Sequence, residues 1–262
     1  MSKRDQKGQD LKGSQRNVVD WKEASRLFRI KKNQIKLVSD RGFDIPKEEK
    51  EITTTTLSGF VIQGIENAKK EDVDFRDTLT KVYRKDRKDR KDDKDRKDTK
   101  EKKDTKDTKG SKEKAEILLV YYARPPQETK NLPSSVVDIF LNMVNDESAT
   151  QAIMITRVMP SGDSIQKIAK MPSSIQIFFD SELTYNPIEH YLVPRHELLD
   201  ESEQRIFLSK FKLADLDIIR KNDAIIKYYG WQQGGIVRIY RKVLFLEKLV
   251  KTSISYRVII NG

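Results

Sequence analysis

Apolar residues recur along this chain at two periods, and the switch between them marks out its elements. Ala24, Leu27, Phe28, Ile35 and Val38 fall at helical spacing with Lys22, Arg26, Lys32 and Lys36 between them, which predicts an amphipathic helix starting near Asp20. Asp20 is placed to cap that helix, Glu23 to complete a capping box, and Gly42 to end it in the left-handed conformation. Residues 43–65 follow no single period; Ile45-Pro46 reads as a turn and residues 57–62 as a strand or a short helix. From Glu116 the pattern alternates. Ile117-Leu118-Leu119-Val120-Tyr121-Tyr122 is an apolar run of strand length, suited to burial on both faces, and Pro125-Pro126 ends it. A helix from Ser134 or Ser135 carries Val136, Val137, Phe140, Leu141 and Val144 on one face. Ala152-Ile153-Met154-Ile155-Thr156 predicts a second strand, Pro160-Ser161-Gly162-Asp163 a turn, Ile165, Ile168 and Ala169 a short helix, and Ile175-Gln176-Ile177-Phe178-Phe179 a third strand. That succession argues for helices packed on a sheet.

The pattern shifts again around Tyr185-Asn186-Pro187. Asp200 and Glu203 form a capping box ahead of Ile206, Phe207 and Phe211. Residues 215–219 lead into a short helix over 223–229, closed by Gly230. Gly234-Gly235 reads as a turn. Residues 236–240 predict a strand with Val237 and Ile239 facing opposite to Arg238 and Tyr240, and residues 253–260 predict the closing strand. The apolar stretch 243–250 extends the sheet or forms a short helix. The expected architecture is a disordered tail over 1–19, an α/β domain over 20–185 and a small α+β domain over 186–262.

Charge adds one feature to this picture. Charged residues make up 35% of the 262 positions and the net charge is +11. Residues 84–114 alternate Lys, Arg and Asp with no apolar side chain, sixteen basic groups against ten acidic ones, a surplus of six. Such a tract buries too little surface to offset its ordering entropy and reads as a disordered, low-complexity insertion in the α/β domain. The first twenty residues hold a further surplus of two, so the basic character lies mostly outside the expected folded parts. There is no cysteine, which excludes disulfides, thiolate metal sites and cysteine nucleophiles. No apolar run approaches the roughly 18 residues of a membrane span, and the opening MSKRDQKGQD lacks the apolar core of a secretory signal.

The motifs of the last third are specific because several occur in one order. His190-Tyr191-Leu192-Val193-Pro194-Arg195-His196 resembles the H-x-L-V-P-x-H signature of the fifth subunit of eukaryotic RNA polymerases and of its shorter archaeal counterpart. The run from Tyr228-Tyr229-Gly230 through Gly234 to Val237-Arg238-Ile239-Tyr240-Arg241 resembles that family's Y-x-G-x-x-x-G-x-x-V-K-I-x-R block, and Ser255-Tyr256-Arg257-Val258 its closing strand. Ser25-Arg26-Leu27-Phe28-Arg29, Asp40-Arg41-Gly42-Phe43 and Met159-Pro160-Ser161 are similar to S-R-L-W-R, D-R-G-Y and T-P-S of the eukaryotic subunit. Three features depart from the family: Asp223-Ala224 stands for D-P, residues 243–252 replace the S-x-T-x-G-R turn, and the Lys/Asp tract lies outside the pattern.

The resemblance implies a non-catalytic subunit without cofactor or metal, in a complex whose magnesium-dependent nucleotidyl transfer takes place on other subunits. It implies an N-terminal jaw-like domain reaching toward downstream duplex DNA, with Arg157, Pro160 and Ser161 nearest the DNA and binding weak and sequence-independent. It also implies a C-terminal assembly domain docking on the largest subunit, with Arg238, Arg241, Tyr256 and Arg257 as partner-binding groups. Such a chain belongs in the nucleus if cellular, or in the virion and host cytoplasm if encoded by a large DNA virus. Two other readings stand beside it: a stand-alone basic nucleic-acid-binding protein using the Lys/Asp tract, and a degenerate nuclease.

Candidate chemistry is sparse. His190 and His196 are the two histidines, six residues apart around a proline, with no cysteine to complete a metal site. Asp180 and Glu182 follow the third strand without a nearby lysine, as a metal nuclease would need, and Asp-x-Lys matches such as Asp89-Arg90-Lys91 lie in the tract. There is no Gly-x-Ser-x-Gly elbow and no phosphate-binding G-x-x-x-x-G-K. Tyr228, Tyr229, Trp231 and Tyr240 suit either a base-stacking platform or core packing, with packing favoured.

Overall fold

A computed structural model describes residues 20–85, 115–124, 130–245 and 248–261. The expected tail, and the tract from residue 86 to 114, lie outside the described residues.

Helix α1 (Trp21–Asp40) begins where Asp20 Oδ1 accepts the Lys22 N–H at 3.1 Å. It ends as Gly42 turns left-handed at φ +83° and the Phe43 N–H reaches back to the Val38 carbonyl, 3.2 Å. The expected capping box is replaced: the Glu23 carboxylate turns to the guanidiniums of Arg26, Arg76 and Arg157, stronger donors than one backbone N–H. Helix α2 (Lys47–Thr54) follows Pro46, and α3 (Leu57–Glu71) is capped by Thr56 on the Gly59 N–H. The ambiguous residues 57–62 are thus the opening of a 15-residue helix. Gly64 lets α3 close on Phe75, whose ring would lie 2.1 Å from an added Cβ.

The first sheet has the order β1-β2-β3-β4, with β1 (Lys81–Lys85), β2 (Glu116–Tyr122), β3 (Gln151–Thr156) and β4 (Ser174–Phe179). Strands β2, β3 and β4 are parallel, joined by α4 (Ser134–Asp146) and α5 (Gly162–Ala169), which is the expected α/β arrangement. Strand β1 pairs antiparallel with β2, Arg84 opposite Ile117 and Lys85 opposite Glu116. Arg84 and Lys85, assigned by sequence to the insertion, are therefore the end of an edge strand. One face of the sheet packs Leu118, Val120, Tyr122, Ile153 and Ile155 against α1 and α3. The other packs Leu119, Ala152 and Met154 against Val137, Phe140 and Val144 of α4 and Ile168 of α5. Of the three residues that marked α5 in the sequence, Ile168 is buried, while Ile165 and Ala169 are exposed.

The second sheet has the order β5-β7-β8-β6. Its strands are β5 (Arg195–Leu198), β6 (Asp217–Arg220), β7 (Ile236–Phe245) and β8 (Lys248–Ile260), with α6 (Glu201–Leu208) and α7 (Ala224–Tyr229) between them. The Asp200–Glu203 capping box and the left-handed Gly230 are both present. Strand β6, pairing parallel with β8, falls within residues read only as a lead into the next helix. The 243–250 stretch extends the sheet: β7 and β8 continue as a hairpin, Phe245 opposite Lys248, with an irregularity between Val243 and Leu244. This sheet's buried core is small, comprising Ile219, Ile226, Val237, Ile239 and Ile259. Tyr228 of α7 lies instead in the core of the first sheet and α1.

Candidate functional site

The turn after β3 carries three of the residues singled out by sequence. Arg157 leaves the strand end and binds Glu23, with its Nε 3.4 Å from Asp180 Oδ2. Asp180, at the end of β4, accepts two bonds from buried Arg76, at 3.0 and 2.5 Å. Arg26 stands 3.6 Å from the same carboxylate. Burial pushes the Glu23 carboxyl up, while Arg157 and Arg76 pull it down. Three guanidiniums and two carboxylates thus brace the α1 N-terminus against the ends of β3 and β4. A nuclease would keep such carboxylates open for a cation; here they are saturated by arginines. Among the described residues no group of three or more potential metal ligands occurs.

Pro160 is buried and bridges to Leu132, whose N–H donates to the Met159 carbonyl at 3.0 Å. Ser161 caps α5, its Oγ accepting the Ser164 N–H at 3.3 Å. Beside them lies an open groove of about 500 Å³ between the first turns of α4 and α5, with Lys167 at its rim paired to Asp138. Arg157 is therefore committed to an internal brace. What the turn offers a phosphate is mainly the backbone of two helix N-termini.

The other four singled-out residues are divided by the pleat of the second sheet. Arg238 is directly opposite Tyr256, and Val237 is opposite Arg257, so Arg238 and Tyr256 share one face. Arg241 and Arg257 share the opposite one, with Val237 and Ile239. On the first face Arg238 donates to Glu203 at 2.9 Å and to the Tyr240 hydroxyl at 3.3 Å, bonds that push its pKa further up. Tyr240 in turn donates to Glu197 at 2.6 Å and pulls that carboxyl down. Tyr256 packs on Phe207 with ring centroids 4.5 Å apart, and Phe207 stacks on Phe211 at 4.8 Å.

Around this face the apolar side chains point outward. Ile206 and Phe211, read from the sequence as apolar residues that follow the capping box, are 63% and 53% exposed. Leu213, Ile218 and Ile254 are exposed too. Sequence reasoning missed this surface because helical spacing reports that α6 has an apolar side, not whether this chain or another covers it. Exposed apolar residues, where they group into a patch, are a feature that interaction surfaces use.

The histidines are structural. His196 Nδ1 lies 2.7 Å from the Pro194 carbonyl, and burial pulls the ring's pKa down. His190 accepts the Leu192 N–H at 3.3 Å and stacks on Tyr191. Of the aromatic set, Tyr228 is buried and donates to Asp40 at 2.7 Å, and Tyr229 stacks on Trp231 at 4.6 Å. Packing accounts for these three. No helix among the described residues is long and apolar enough to cross a membrane.

Residues 185–259 match the family model described as RNA polymerase Rpb5, C-terminal domain. Over 240 residues the chain is 22% identical to DNA-directed RNA polymerase V subunit 5A of Arabidopsis thaliana, covering 90% of this chain and 89% of that one. It is 23% identical over 245 residues to DNA-directed RNA polymerases I, II, and III subunit RPABC1 of Caenorhabditis briggsae, covering 92% and 99%. Over a shorter span, 120 residues, it is 27% identical to the subunit rpabc1 of Dictyostelium discoideum.

Proposed function

We infer that the chain is a fifth-subunit-type subunit of a DNA-directed RNA polymerase and that it acts there by position rather than by chemistry. In this reading the face of Arg238, Tyr256, Phe211, Ile218 and Ile254 docks on the largest subunit, and the first sheet with α1 to α5 forms the jaw-like part beside downstream duplex DNA. The observation that carries it is the outward apolar face around Tyr256, which lies within the span of the family match. Aromatic and arginine side chains set in such a face are the residue types that dominate binding energy. For the jaw, the helix N-termini beside Pro160 and Ser161 supply backbone donors for weak, sequence-independent phosphate contact. The brace of Glu23 and Asp180 with three arginines supports a non-catalytic role.

Two capture experiments with the largest subunit test the docking face. The full chain is expected to capture it. Phe211→Glu together with Ile218→Glu, both exposed positions, is expected to weaken capture about tenfold or more, the loss of a central contact. The thermal midpoint should stay put, since neither side chain is in a core. Capture unchanged by the pair, with a fragment of residues 1–185 binding as well as the full chain, would put the assembly role elsewhere. Binding of the isolated chain to duplex DNA should fall steeply between about 50 and 200 mM salt, as for phosphate contacts alone.

A further inference from the structure

The Asp40-Arg41-Gly42 segment does more than end a helix. Arg41 Nε donates to the Tyr228 carbonyl and Nη2 to the Lys227 carbonyl, both at 2.8 Å, while Nη2 also reaches Gln176 Oε1 at 2.7 Å. Those two carbonyls lie in the last turn of α7, where a helix leaves acceptors without i+4 partners, and that of Lys227 also accepts the Gly230 N–H at 3.2 Å. One guanidinium, from the residue that follows α1, therefore closes the last turn of a helix belonging to the other sheet, and at the same time grips β4. Its positive charge also sits at the negative end of that helix. Its acceptors here are neutral, and burial pulls its pKa to about 10.

The neighbouring residues are shaped to this contact. Gln176 Nε2 donates to the same Lys227 carbonyl at 3.3 Å. Asp40 accepts the Tyr228 hydroxyl at 2.7 Å, and Lys227 Nζ binds Glu182 at 2.6 and 2.8 Å. Gly230, left-handed at φ +70°, leaves room for the guanidinium: an added Cβ would sit 3.0 Å from Arg41 Cζ and Nη1. Helix α7 is also split between two cores, Ile226 in that of the second sheet and Tyr228 in that of the first.

We propose that Arg41, seated against Gly230 and the end of α7, is a positioning residue that locks the second sheet to the first in one orientation. Units joined by a linker and a small interface move relative to each other by default. Three directional bonds from a planar fork remove that freedom, and a lysine, whose three donors all radiate from one nitrogen, does not match the fork's geometry. The lock stands on these contacts alone. Its use rests on the docking role above: a subunit held at one end would then carry its other end at a fixed place.

The absence of cysteine makes the test direct, because two introduced cysteines are the sole spin-label sites. The full chain carries labels at the exposed positions Glu147→Cys and Lys210→Cys, and pulsed electron resonance reads the distance between the two sheets. The unaltered lock should give one narrow distance. Arg41→Ala should broaden the distribution about twofold or more, as for units without a fixed interface. Arg41→Lys should not restore it, and Gly230→Ala should broaden it by displacing the guanidinium. Far-ultraviolet circular dichroism and the thermal midpoint establish that each variant is folded. If Arg41→Ala does not fold, Gly230→Ala and Gln176→Ala carry the test. Narrow distributions in the folded variants overturn the lock. No polymerase is in the assay, so failure of the docking role leaves this result untouched.

Discussion

Lys31 shows how far a single residue departs from its polar type. It is 1% exposed, inside α1, and its ammonium lies 2.7 Å from Glu49 of α2. It donates to the Leu79 carbonyl at 3.1 Å and to Tyr83 at 3.3 Å, and Tyr83 donates to Glu49. Gln34 completes the set with a bond to the Tyr83 hydroxyl at 3.0 Å. Burial pulls the Lys31 pKa down and Glu49 holds it up; burial and then Glu49 push the Tyr83 hydroxyl well above its usual range. The two charges hold each other in place, so removing one leaves the other buried and uncompensated. Lys31→Met is expected to cost about 3–5 kcal/mol in urea unfolding, and Lys31→Met with Glu49→Leu to recover most of it. A double variant as unstable as the single one would mean that the pair, rather than its imbalance, supports the fold. None of this was readable in the sequence, where Lys31 is one of several lysines along a helix. Its burial depends on β1 and α2, which arrive later in the chain.

At the scale of elements, β1 decides what the Lys/Asp tract is attached to. Lys85 and Glu116 are opposite each other at the end of an antiparallel pair, so the chain leaves and re-enters the sheet at one point. A two-residue Asn-Gly turn spans such a pair without strain. Replacing residues 86–115 by Asn-Gly is therefore expected to keep the thermal midpoint within about 5 °C, since residues 86–114 carry no apolar side chain to place in a core. Starting the deletion at residue 84 should cost more, because Arg84 and Lys85 carry ladder bonds to β2. A scanning calorimetry trace with a drop of more than about 10 °C for the first variant would show that the tract packs. Strand β1 was hard to read because it is an edge strand: of its five residues only Tyr83 is fully buried. Strand β6, with one buried residue in four, escaped for the same reason.

The whole molecule is less divisible than its two sheets suggest. The expected division at residues 185 and 186 remains our proposal for its domains, and α7 tests it. A fragment of residues 186–262 keeps its capped helices and the small core around Ile226, but loses the cover over Tyr228 and the Arg41 bonds to α7. It is expected to fold on its own, with a thermal midpoint roughly 10 °C or more below that of the full chain, as small cores are marginal. A fragment as stable as the parent would mean that the contact between the sheets adds nothing.

Local chemistry explains what the sequence determined unaided. Asp20, Gly42, the Asp200–Glu203 box and Gly230 act on backbone groups within a few residues, and each does what its position foretold. The strands at β2 and β3 announced themselves because burial on both faces requires an unbroken apolar run. The polymerase motifs were legible because they are strings of neighbours. Tertiary structure alone decided where Glu23 turns, that Lys31 is buried, that α6 shows its apolar side to solvent, and that Arg241 lies across the sheet from Arg238. It also decided the grip of Arg41 on α7, whose partners are 186 and 187 positions away. Periodicity specifies which side of an element avoids water. What covers that side is set by chain packed against it from far along the sequence, and no local pattern carries that information.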